Sequence, residues 1–135
     1  MKLVEKWLVC MALIFALAVH ARAGTISAIL DTNDVDISSA LFATGGFTAV
    51  DRYDVNAGLP SLATLLTYDS VLAYTDFIPN DPVGFGDLLA DYVDAGGHVV
   101  LANFGYSDPI AIAGRIATPG YAPLVNVGTN ADVSG

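Results

Sequence analysis

Apolar and polar positions fall along this chain in blocks whose period switches between strand-like and helical. Residues 25–30 (TISAIL) are apolar and partly β-branched, and predict a buried first strand. The polar run from Asp31 to Asp36 follows as a loop. Asp36 or Ser38 is placed to cap a short helix reaching Ala43 or Thr44, which Gly45 and Gly46 end. Phe47 to Val55 alternates as a second strand, and its Asp51 and Arg52 mark a sheet edge. After a turn over Asn56 to Pro60, Ser61 to Thr67 predicts a short helix with Leu62, Leu65 and Leu66 on one face. Ser70 to Thr75 is a third strand, and Asp76 to Pro82 is a loop with two prolines.

From Gly84 the period is helical. Phe85, Leu88, Leu89, Tyr92 and Val93 line one face, with Asp87, Asp91 and Asp94 opposite. Gly96 and Gly97 end this helix, and His98 to Phe104 forms a fourth strand. Ser107 to Ile116 has room for one or two helical turns, while Ala117 to Gly135 shows no period. The order β-α-β-α-β-α-β predicts an α/β fold. Its expected form is a three-layer, doubly wound, mostly parallel sheet of flavodoxin-like type. The pattern stops before such a domain would be complete, so the expectation is a domain truncated at its C-terminus.

The first residues carry a different pattern. Lys2 and Lys6 precede an uncharged, mostly apolar run from Trp7 to Val19, and Ala21-Arg22-Ala23 follows as a cleavage site. That is a secretory signal peptide over residues 1–23, leaving residues 24–135 as the domain. The run is short for a membrane span, which needs about 20 residues. The expected location is therefore secreted or periplasmic in a bacterium, with no membrane attachment after cleavage. Cys10 lies inside the apolar run, so the exported part has no cysteine for a disulfide or for thiol chemistry.

Charge narrows the functions further. The whole chain is 54% apolar and carries a formal charge of −9. The apolar content excludes disorder, and the lack of Lys and Arg excludes phosphate-driven nucleic-acid binding. Beyond residue 23 there are two bases, Arg52 and Arg115, against thirteen aspartates. His98 is the one histidine there, which removes any zinc site built on two or more histidines of this chain.

Two segments carry a family resemblance. Leu66-Thr67-Tyr68-Asp69-Ser70-Val71-Leu72 and Asp91-Tyr92-Val93-Asp94-Ala95-Gly96-Gly97-His98-Val99-Val100-Leu101 resemble the class I glutamine-amidotransferase-like superfamily, in its secreted, trehalose-utilisation-like branch. In that family a "YDxVL" strand leads into a helix ending "YVxAGGxVV" and then a strand. The resemblance spans Thr25 to Tyr106 and implies the fold. The family's amidotransferases place a Cys nucleophile on the turn after a strand, with a later His and acid. Here that turn reads Ala102-Asn103-Phe104-Gly105-Tyr106, without Cys, and no His follows. The activity is therefore not implied.

Ligands of open α/β sheets bind outside the carboxyl ends of the strands. The predicted elements gather Asp31, Thr32, Asn33, Asp34, Asp76, Asn80, Asp81, Asn103, Ser107 and Asp108 at that edge. Of these, Asp31, Asn33, Asp34, Asp76, Asn103 and Asp108 are the candidate ligand or metal residues. Their hard oxygens suit calcium, which takes 6–8 oxygen ligands. The bland alternative is a set of loops in which Asp and Asn make local turns and caps. Gly84-Phe85-Gly86 opens like a dinucleotide fingerprint, but Leu89 stands where its last glycine belongs, and no cofactor is expected. His98 opens a strand at the opposite edge. Ser107 beside Asp108 lacks a neighbouring His, and no nucleophile elbow occurs. Among the tyrosines, Tyr106 and Tyr121 fall in loops and suit an interface.

These residues favour an exported, non-catalytic α/β module that binds a protein or a carbohydrate-like ligand at the carboxyl edge, with calcium as the candidate cation. One alternative is an extracellular hydrolase using Asp and Ser at the same edge. The other is a fragment of a larger exported protein.

Overall fold

The computed structural model describes residues 25–32 and 36–121. The signal-peptide reading of residues 1–23, the candidates Asn33 and Asp34, and the chain after Tyr121 lie outside the described residues. The described part is α/β. Four strands form one parallel sheet: β1 (Ile26–Asp31), β2 (Ala49–Asp54), β3 (Ser70–Ala73) and β4 (Val99–Leu101), in the order β2-β1-β3-β4. Helices α1 (Ser38–Ala43), α2 (Leu62–Leu65) and α3 (Pro82–Asp94) connect them in turn. Among the described residues no helix is long and apolar enough to cross a membrane.

The period-2 pattern of the strands decides what each sheet face meets. The register sets Ala28 beside Val71 and Leu30 beside Ala73, then Val71 beside Val99 and Ala73 beside Leu101. This face packs on Phe85, Leu89 and Tyr92 of α3, on Leu65 of α2, and on Ile112 and Ile116. Tyr92 is buried in this apolar setting because its hydroxyl donates to the Tyr68 carbonyl at 2.9 Å. The other face is covered less. Leu41 of α1 and Phe47 face Ser27, Ser70, Leu72 and Val100 across a groove of about 160 Å³. At the amino edge, Asp69 ties β1 to β3. Its carboxylate accepts from the Ile26 N–H and its own N–H donates to the Ile26 carbonyl, each at 2.9 Å.

Helix α3 starts two residues earlier than its apolar period implies. Asp81 is the N-cap, accepting from the Gly84 N–H at 2.8 Å, and Pro82 occupies the first turn. Its aspartate face has a partner from later in the chain. Arg115 donates its backbone N–H to Asp87 at 2.8 Å and its guanidinium to Asp91 and Asp94. The Tyr121 hydroxyl donates to Asp94 at 2.8 Å and accepts from Arg115. The segment after β4 is thus strapped along α3 by charge. Two hydrogen bonds, more than desolvation opposes, hold the Arg115 guanidinium above its usual pKa, that to Tyr121 first and that to Asp91 next.

The fourth strand is shorter than the apolar run predicts. Ala102 still donates to the Ala73 carbonyl at 3.0 Å, but residues 103–106 then tighten into a 3-10 turn. A second 3-10 turn covers Arg115–Ala117, and the span between them is loop where helical turns are expected. Gly84 and Gly86 sit inside α3, so their spacing serves packing. A Cβ on Gly86 would overlap the Ala113 carbonyl oxygen.

That contact reverses the usual sign of a glycine substitution in a helix. Alanine normally stabilises such a position by about 0.5–1 kcal/mol. Gly86→Ala is instead expected to destabilise by about 1–3 kcal/mol, because backbone must move to admit the methyl. Urea unfolding followed by circular dichroism checks this. An unchanged or raised midpoint would mean that the 113 carbonyl does not rest on α3.

Candidate functional site

Parallel strands send all their C-termini to one edge, so the loops after β1, β2 and β3 meet there. In the order β2-β1-β3-β4 the chain reverses direction on either side of β1, and the loops after β1 and β3 diverge at that point. Thr32 closes it. Its buried hydroxyl oxygen accepts from the Asp76 N–H at 3.1 Å and the Phe77 N–H at 3.0 Å. The loop after β2 is tied to the same segment. The Asn80 N–H donates to Asn56 Oδ1 at 2.7 Å, and the Asn80 side-chain amide donates to the Asn56 carbonyl at 3.1 Å. Asn56 is itself held by its N–H donating to Asp54 at 2.9 Å.

Between these ties lies a crevice of about 470 Å³, lined by Thr32, Asp54, Asn56, Ala57 and Phe77. Its chemistry is one carboxylate, amide and hydroxyl groups engaged with backbone, and one aromatic ring. Phe77 is 56% exposed and the adjacent Ile78 60%. Apolar side chains of this size in a loop pinned by side-chain hydrogen bonds are held out, not merely left out.

Asp31 stands elsewhere than the expected polar loop. It is the last residue of β1 and fully buried. Arg52 of β2 grips it bidentately, Nε to Oδ2 at 2.6 Å and Nη2 to Oδ1 at 2.7 Å, and the Tyr74 hydroxyl donates to Oδ2 at 3.4 Å. The reason is local geometry. Arg52 pairs in register with Ile29, on the face toward which Asp31 points, so the guanidinium reaches along the sheet. The Asp31 hydrogen bond holds the Arg52 guanidinium above its usual pKa. Asp36 caps no helix directly, since the N-cap is Ile37 without a side-chain bond. Its carboxylate accepts from the Ser38 N–H at 2.8 Å, and its bonds to Ser38 hold it below the usual carboxylate range.

The other candidates disperse. Asp76 and Asp108 are exposed, and Ser107 is buried with its carbonyl accepting from the Ile110 N–H at 2.9 Å. Asn103 opens a 3-10 turn, and its side chain is outside the described set. His98 is exposed at the amino end of β4, far along the strand from the crevice. Among the described residues no three His, Cys, Asp or Glu side chains gather as a metal group. Four crevice residues were missing from the expected set: Asp54, Asn56, Ala57 and Phe77. The first three directly end or follow the second strand, which places them at the carboxyl edge. Phe77 is an isolated aromatic in a polar loop, a signal of its own. A second cavity, of about 310 Å³, lies against β4 and is lined mainly by Val93, Val99, Leu101, Tyr106, Ile116 and Tyr121. No family model, curated protein or solved structure matches this chain.

The ion pair yields a direct test. Removing Arg52 strands a buried carboxylate, so Arg52→Met is expected to cost about 3 kcal/mol. The double variant Asp31→Leu/Arg52→Met should recover most of it, because both charges leave together. Denaturant midpoints of the three chains check this. Equal losses in the single and double variants would mean that the pair contributes through packing alone.

Proposed function

We propose that this chain is an exported, non-catalytic α/β module that binds a ligand or partner at the carboxyl edge of its sheet. The crevice bounded by Thr32, Asp54, Asn56, Ala57 and Phe77 carries the reading. It sits where open α/β sheets bind ligands. Its Thr32 and Asn56 side chains and the backbone of the loop after β3 are fixed in advance by hydrogen bonds, which lowers the ordering cost of binding. A doubly wound, flavodoxin-like, three-layer arrangement of the amidotransferase-like superfamily goes with this reading. The order β2-β1-β3-β4 is how a 2-1-3-4-5 sheet begins, which supports it.

Ala57 offers a clean probe, because it is exposed on a turn and lines the crevice. A bound ligand at about a hundredfold excess over its Kd adds about 2.7 kcal/mol. That should raise the melting temperature by roughly 10 °C in a chain of this size. Compounds and polypeptides that raise the wild-type melt are expected to lose that effect in Ala57→Trp. Hits that act equally on both chains would sink the crevice as the site. Calcium is the cation to try with the edge carboxylates. A melt that rises in calcium, and not in sodium at matched ionic strength, is the expected sign of its binding. Equal shifts in both salts would leave a module that works without it.

A further inference from the structure

The loop that carries Phe77 into the crevice lining says what kind of partner it fits. Phe77, Ile78 and, in the first turn of α3, Val83 are more than half exposed. Two of them ride on a loop that is fixed at both ends. Thr32 accepts the Asp76 and Phe77 amides at one end, and Asn56 and Asn80 interlock at the other. Asp81 then caps α3. Exposed apolar groups on a rigid support are features of interaction sites. Charge surrounds them. Asp54 lines the crevice beside Phe77, and Asp76 and Asp81 flank the apolar pair in sequence.

Positive charge is scarce on the described surface. The described residues contain two strong bases, Arg52 and Arg115. The first is bound to Asp31 and the second to Asp91 and Asp94. The described residues carry these two bases against eleven aspartates, so their charge is strongly negative. An acidic ligand or an anionic membrane is repelled from such a surface, and a cationic one is steered to it.

We propose that the partner is a polypeptide segment in which Lys or Arg flanks an apolar anchor. The anchor packs on Phe77 and Ile78, and the bases face Asp54 and Asp81. This rests on the carboxyl-edge reading above and adds the class of partner to it. The basic groups set approach and orientation, and the buried apolar contact holds the complex.

The test titrates the full chain with three short peptides by calorimetry. One repeats Lys-Leu-Leu-Lys, one replaces its Leu by Ser, and one replaces its Lys by Glu. Two double variants accompany the wild type. Phe77→Ser/Ile78→Ser removes the anchor site. Asp54→Asn/Asp81→Asn removes charge while keeping both backbone hydrogen bonds, since Asn accepts as Asp does. Thermal melts confirm that each variant folds. The Lys–Leu peptide is expected to bind the wild type best. The Phe77/Ile78 variant should weaken it about tenfold or more, and the Asp54/Asp81 variant about three- to tenfold with a shallower salt dependence. Equal binding of the Lys–Leu peptide to wild type and to the Phe77/Ile78 variant would overturn the proposal, leaving only general charge attraction. Should the Glu–Leu peptide bind as well as the Lys–Leu peptide, with Ala57→Trp blocking both, the edge site stands and the cationic partner falls. Binding that neither Ala57→Trp nor the Phe77/Ile78 variant weakens would bring down both readings.

Discussion

A carboxylate buried at the end of the central strand is the constraint on which the site depends. Asp31 has no exposure, and taking a charged carboxylate out of water costs several kcal/mol unless it is paired. The bidentate Arg52 fork from β2 and the hydroxyl of Tyr74, the residue after β3, supply that pairing. Three neighbouring chain segments therefore converge on one side chain. The pair tolerates little slip between β1 and β2, because a one-residue shift would turn Arg52 to the opposite face. With Asp31 held, the next residue is delivered to a defined place. Thr32 then meets the Asp76 and Phe77 amides. The crevice geometry is thus an outcome of strand register, transmitted through two consecutive residues.

The parts of the fold that were legible in the sequence are those carried by local period. The spacing of Phe85, Leu89 and Tyr92 is visible without any partner, and these three are the large side chains on the buried face of α3. The four strands and their order along the chain follow from apolar runs between turn residues. The start of α3 was placed two residues late, because Pro82 was assigned to the preceding loop and the apolar period begins only at Gly84. What was not legible depends on residues distant in the chain. Asp87, Asp91 and Asp94 are at helical spacing and read as a solvated face. Their partner, Arg115, lies more than twenty residues away, and nothing local announces it. Asp31 is misread for the same reason. A polar residue opening a polar run looks like loop until Arg52 is seen to reach it.

The two arginines among the described residues are both taken up in holding the fold. Each base is spent inside the molecule, one fastening β2 to β1 and the other fastening the segment after β4 to α3. An arginine fork suits both tasks, since it pairs more than one oxygen with fixed geometry. The carboxylates left outward then differ only in what accompanies them. Asp51 accepts from the Tyr68 hydroxyl at 2.8 Å, and Tyr68 is bonded in turn to Tyr53, so that acid belongs to the fold.

Exposed apolar side chains occur in different settings among the described residues, and their supports separate them. Phe42 sits on a six-residue helix with no buried residue, and Val100 on the open side of a three-residue strand. Neither is held by side-chain hydrogen bonds across loops. Phe77 and Ile78 are held in that way, and by the same ties that shape the crevice. Pinning a loop of this composition restricts conformations that an unbound surface would otherwise keep. That restriction lowers the cost of ordering the loop when something binds, which a purely structural loop has no use for. The proposed recognition at the carboxyl edge rests on the physical asymmetry between these settings more than on the exposure itself.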